Sequence, residues 1–107
     1  MDSDQITEGI ATWGRDFRYV LTLCLKAYGP LDLAELVSAM RAEGWAIRGR
    51  PSKTVSDALR WEIARGRAVR LGRGRYGPGS IPRSTEWRIR KRVAAIRAAA
   101  ADRPVEG

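Results

Sequence analysis

Apolar positions along the chain fall into periodic runs separated by glycine and proline. Phe17, Val20, Leu21, Cys24, Leu25 and Tyr28 follow the i, i+3, i+4, i+7 spacing of a helix with one buried face, and Gly29 and Pro30 stop it. Upstream, Ile6, Ile10 and Trp13 also stand at helical spacing until Gly14 interrupts them. A second helix is signalled at Asp32, an N-cap residue with Glu35 three positions later, where Leu31 can staple against Leu36. Leu33, Leu36, Val37 and Met40 form its buried stripe and Gly44 suits its C-terminal end, with Trp45 and Ile47 folding back onto the core. After the breakers Gly49 and Pro51, Ser52 or Thr54 can cap a third helix that Gly66 ends. Its inner face holds Val55, Ala58, Leu59, Glu62 and Ile63. Its outer face holds Lys53, Ser56, Asp57, Arg60 and Arg65, with Thr54 and Trp61 near the edges.

The period then changes from helix to strand. "AVRL" alternates apolar and basic residues, "GRG" is a turn, and "RYG" opens a return strand with Tyr76 facing in and Arg75 facing out. "PGSIP" breaks the pairing. Ser84 can cap a last helix whose narrow stripe is Ile89, Val93, Ile96 and Ala100, flanked by Arg88, Arg90, Lys91, Arg92 and Arg97. The pattern therefore predicts a mainly α fold with a small β-hairpin. It divides into an N-terminal helical extension at 1–14, a central domain at 15–80, and a basic C-terminal helix with a frayed tail at 81–107.

Charge changes this picture more than length does. The 107 residues make one domain, and the 44% hydrophobic content is enough for a modest core without disulfides. Net charge is +8, yet residues 1–50 hold 6 basic and 7 acidic residues, whereas residues 51–107 hold 14 and 5. Such asymmetry points to a polyanionic partner for the second half. Seventeen of the 20 basic residues are arginine, the planar donor suited to phosphates and guanine edges. Arg65, Arg67, Arg70, Arg73 and Arg75 come within eleven positions with no acid among them.

Candidate chemistry is otherwise sparse. The chain has no histidine and a single cysteine, Cys24, so the commonest general base and metal ligand are missing and no internal disulfide can form. No enzyme activity, metal, cofactor or small-molecule ligand is expected. The longest apolar stretch is far short of the about 20 residues that cross a membrane. The acidic start "MDSDQ" lacks the basic region of a secretory signal, which leads to the expectation of a cytoplasmic protein. "GRGRYG" has no Lys-Ser/Thr after it and no strand-to-helix setting, so it does not read as a phosphate loop. Trp13, Trp61 and Trp87, like Trp45, are expected to pack, Trp61 in the core or on a dimer face.

The stretch "SKTVSDALRWEIARGRAVRLGRGRYG" resembles the recognition helix and wing of bacterial winged helix regulators. With "LAELVSAMRAEGW" upstream, it is similar to the HARE-HTH group of winged helix modules, which combine "EL…GW", "VS-x-AL-x-x-EI" and a "GRGRY/F"-like wing end. The likeness spans about residues 16–78 and implies a winged helix-turn-helix fold, to which the basic C-terminal helix is an addition. It further implies binding of double-stranded DNA, with helix 52–65 in the major groove and wing 67–77 on the backbone or in the minor groove.

On that reading Ser52, Lys53, Thr54, Ser56, Asp57 and Arg60 face DNA, with Arg60 on a guanine edge and Asp57 either accepting from a cytosine amine or holding Arg60. Arg73 at the wing tip meets the minor groove or a phosphate, Arg65, Arg67, Arg70 and Arg75 meet phosphates, and Arg88 and Arg92 widen the footprint. The role would be transcriptional regulation or nucleoid-type binding. A homodimer through the N-terminal or C-terminal helix stays open. The rival readings are a protein-interaction module docking on transcription machinery, and RNA binding.

Overall fold

The computed structural model describes residues 9–102. Four helices and a three-stranded sheet follow in the order α1 (Gly14–Tyr28), β1 (Leu31–Asp32), α2 (Leu33–Ala42), α3 (Pro51–Ala64), β2 (Ala68–Gly72), β3 (Arg75–Pro78) and α4 (Arg83–Ala101). The sheet is antiparallel with strand order β1-β3-β2. This is the winged-helix topology with an added C-terminal helix, and it matches the mainly α fold with a small hairpin expected from the sequence.

The helices form where local signals put them. Phe17, Val20, Leu21, Cys24 and Leu25 line the buried face of α1, while Tyr28 at its end is exposed and donates to Glu43. Burial pushes the Cys24 thiol up to about 12, so it is protonated and inert at neutral pH. Asp32 and Glu35 form a complete capping box on α2: Asp32 Oδ1 accepts from the Glu35 amide and Glu35 Oε1 from the Asp32 amide, each at 2.8 Å. Leu36, Val37 and Met40 meet the α1 face, and Trp45 turns back into the same core. The α4 stripe lands on α1, with Ile89 and Val93 buried and Ile96 packed at the margin.

Several boundaries differ from the sequence reading. Residues 10–13 are not helical; Ile10 pairs with Trp45 in a parallel bridge through Ile10 N–Gly44 O (2.8 Å) and Ala46 N–Ile10 O (2.9 Å). Backbone pairing there overrides the spacing of Ile10 and Trp13, and Ile6 lies outside the described residues. Proline 51 occupies the first turn of α3, so Ser52 and Thr54 sit inside the helix and do not cap it; the Thr54 hydroxyl donates instead to Arg48 O at 2.7 Å. Ser84 likewise lies within α4, which Pro82 precedes. Strand β1 was not anticipated. Its two residues pair with Tyr76 and Arg75, which turns the hairpin into a sheet and fastens it to the start of α2.

Two glycines set the path from α3 into the hairpin. Gly66, at φ +75°, reverses the chain after α3, and Gly74, at φ +68°, makes the tight turn between β2 and β3. A side chain at either position would strain the backbone. A register irregularity between Arg70 and Gly72 leaves Leu71 exposed, where the alternation had suggested a buried position.

The inner face of α3 carries one charge. Glu62 is fully buried, and its carboxylate accepts from Arg67 Nε (2.8 Å), Arg67 Nη2 (3.1 Å) and the Thr22 hydroxyl (2.6 Å). Arg18 Nε stands 3.6 Å away. The Thr22 hydroxyl is also 2.8 Å from Arg18 O, but it has one proton and the carboxylate is the stronger acceptor. Removing one member of a buried ion pair strands the others away from water, at a cost of roughly 3–5 kcal/mol. Glu62→Ala is expected to lower stability by about that amount in urea unfolding, and Glu62→Gln, which keeps an acceptor, by less. An alanine variant as stable as the parent would show that the buried cluster contributes nothing.

Candidate nucleic-acid interface

The outer side of α3 combines an uncapped amino end with exposed basic side chains. Among the four described helices only α3 has no acidic residue in its first turn, where α1 has Asp16, α2 has Glu35 and α4 has Glu86. No side chain caps it, and the first-turn amides of Ser52 and Lys53 have no partner within the helix. The helix dipole therefore presents uncompensated positive charge at that end. Ser52 and Lys53 are exposed, and Ser56 and Asp57 are half-buried along the same side. Arg60, with 78% of its side chain exposed, stands farther along. Asp57 holds Lys53 at 3.0 Å and lies 4.0 Å from Arg60, an exposed arrangement that a stronger anion can displace at small cost.

Helix and sheet meet in a shallow groove of about 240 Å³ lined by Ser56, Leu59, Arg60, Ile63, Arg70 and Tyr76. Ser56 and Arg60 come from α3, Arg70 from β2 and Tyr76 from β3, so the front of the helix and the base of the hairpin share one surface. Arg70 and Tyr76 reach it together because they are directly paired across the strands. Arg73, exposed between Gly72 and Gly74, forms the tip of the ribbon. Arg75 sits on β3 and donates to Pro30 O at 3.2 Å.

Other candidate cations are engaged elsewhere. Arg67, with 19% of its side chain exposed, is taken up by Glu62. Arg65 ends α3 and stacks on Trp61, 4.6 Å from the ring centre. On α4, Arg88 lies 3.5 Å from the Thr85 hydroxyl, and Arg92 grips Asp16 of α1 through two hydrogen bonds of 3.1 and 2.9 Å. The site thus gathers Ser52, Lys53, Ser56, Arg60, Arg70 and Arg73 as its exposed polar face, while Arg67 and Arg92 serve the fold. Thr54 faces a different region, beside Arg48 and Gly49.

The aromatic residues depart from expectation. Trp45 is buried, but Trp13 and Trp87 are each 60% exposed and Trp61 is 50% exposed. Each exposed indole instead carries a cation over its face: Arg48 on Trp13 at 4.7 Å, Lys91 on Trp87 at 4.7 Å, and both Arg18 and Arg65 on Trp61. Trp61 follows Thr54 by seven positions on one edge of the helix, so spacing alone left open whether it is covered, and the expected packing in the core is not found. Ile63 is also exposed and lines the groove instead of the core.

Among the described residues, no group of three or more His, Cys, Asp or Glu could hold a metal, and no helix is long and apolar enough to cross a membrane. Comparison with protein-family models, with curated proteins and with solved structures returned no match.

The Arg92 hydrogen bonds hold the Asp16 carboxyl below its ordinary value of 3.8. A carboxylate lowered by folding stabilises the protein above its unfolded value, and that contribution is lost as pH falls through the folded value. Arg92→Ala is therefore expected to lower the urea midpoint at neutral pH, with the gap from the parent closing as pH drops below 3.8. A gap of constant size down to low pH would place the effect elsewhere.

Proposed function

We propose that this chain is a winged helix-turn-helix protein that binds duplex DNA, of the kind seen in bacterial winged helix regulators and the HARE-HTH group. The front of α3 enters the major groove and the wing of β2 and β3 follows the backbone or the minor groove, in a transcriptional regulator or nucleoid-associated protein acting on the chromosome. The observation that carries this reading is the groove in which Ser56 and Arg60 of α3 adjoin Arg70 and Tyr76 of the wing. A helix and a ribbon that were merely soluble would have no reason to pool their cations on one side.

The division of labour follows from geometry. The uncapped start of α3 offers amides and Ser52 to a phosphate, which sets the docking angle. Arg60, long and exposed in the middle of the helix, reaches a base edge, where a bidentate contact to guanine discriminates by about 1–3 kcal/mol. Arg70 meets the backbone at the joint. Arg73, presented by two glycines, can enter a narrow minor groove, whose negative potential attracts a guanidinium. Arg88 on α4 is exposed and can extend the footprint to flanking phosphates.

Electrophoretic shifts at two salt concentrations test the proposal. Binding to a polyanion releases counterions and so weakens steeply as bulk salt rises, whereas a protein-docking module would show little DNA affinity and little salt dependence. Arg73→Ala should weaken binding to every duplex and reduce the slope of log affinity against log salt by about 1. Arg60→Ala should cost about 1–3 kcal/mol on a preferred site and relax selection at one base pair. Duplex RNA should compete poorly, because its deep major groove excludes α3. Parent-like binding by both variants, or equal competition by RNA, overturns the assignment.

A further inference from the structure

A second concavity lies on the other edge of α3. The segment before α1, the start of α1, the turn at Arg48 and Gly49, and the α3 edge enclose a cleft of about 520 Å³. That volume is within the range of about 300–1,000 Å³ usual for small-molecule sites. Thr12, Trp13, Arg18, Arg48, Asp57 and Trp61 supply its polar and aromatic lining.

Two features mark this cleft. Trp13 and Trp61 leave most or half of their surface open to water although an apolar core is close by. The second feature is unsatisfied polarity. Among the described residues only two buried side-chain atoms, Thr12 Oγ1 and Arg18 Nε, lack a hydrogen-bond partner, and both residues line the cleft. Thr12 is just 6% exposed, so water does not readily replace the missing partner.

The chemistry of the lining selects one kind of occupant. Arg18 Nε can only donate and the Thr12 hydroxyl can donate, so an acceptor answers both; the Glu62 carboxylate, 3.6 Å from Arg18 Nε, is already taken by Arg67 and Thr22. Arg18 and Arg48 are cations, and the single acid of the lining, Asp57, is already held by Lys53 and Arg60. The walls are indole rings, with Phe17 and Ala58 behind them. We propose that this cleft binds a small planar aromatic carboxylate, its ring against Trp13 and Trp61 and its carboxylate on Arg18 and Arg48. A neutral aromatic would bring no charge to Arg18 and Arg48, an aliphatic acid would give the indoles and the guanidiniums stacked on them no flat ring to pack against, and a cation would meet two guanidiniums. The site stands independently of whether the chain binds DNA.

Isothermal titration calorimetry of the full chain with 2-naphthoate tests this, with 2-naphthamide and cyclohexanecarboxylate as matched controls. The naphthoate is expected to bind one to one, and each control about tenfold more weakly or worse, the amide for want of the charge and the cyclohexane acid for want of the flat ring. Arg48→Ala and Trp61→Ala alter exposed side chains, so thermal melts should show both folded. Each should lose about tenfold or more in naphthoate affinity, while Arg73→Ala should bind it as the parent does. No heat at millimolar naphthoate, equal binding of all three compounds, or parent-like affinity in both cleft variants would overturn the proposal.

Discussion

The buried carboxylate of Glu62 governs how the pieces of this fold sit together. It stands on α3, takes two hydrogen bonds from Arg67 at the entry to β2, and takes one from Thr22 on α1. A charge with no exposure is tolerable only if its partners stay in place, so the cluster penalises any roll of α3 against α1 and any drift of the hairpin away from α3. Leucines alone would hold these elements together yet permit several rotations, because apolar attraction has no direction. The carboxylate with its bidentate guanidinium has direction, and it acts where helix, hairpin and scaffold meet. The same constraint aims Arg60 and Arg70 into one groove.

Local signals made much of this legible from sequence. The capping box at Asp32, the apolar face of α1, the reversal at Gly66 and the stripe of α4 depend on residues within a turn or two of each other. Strand β1 was invisible for the opposite reason: two residues have no period, and their partners in β3 lie more than forty positions later. Glu62 is the more instructive case. Its position on the apolar face of the third helix could be read directly, and a carboxylate buried there requires a cation. Arg67, five positions on, supplies it, although the pattern of basic residues had given Arg67 to a phosphate. The tryptophans were opaque because spacing places a residue on an edge without saying whether that edge is covered.

Counting cations overstates what a polyanion would feel. A guanidinium bound through two hydrogen bonds to a carboxylate is close to neutral at a distance and cannot turn to a phosphate without exposing a charge it has covered. Arg67 and Arg92 are in that state, so they contribute to the net charge and little to a docking field. Lys53 and Arg60 share Asp57 in the open, where solvent already weakens the attraction, and an approaching phosphate exchanges for it easily. On the α3 and wing side the cations left open to solvent therefore include Lys53 and Arg60 on the helix, Arg70 at the groove and Arg73 at the tip. The far edge of α3, with Thr54, Asp57 and Trp61, belongs to the aromatic cleft. Asp57 is common to both sides: it holds the cations of the front while lining the cleft behind, so whatever disturbs its carboxylate on one side changes how firmly Lys53 and Arg60 are held on the other.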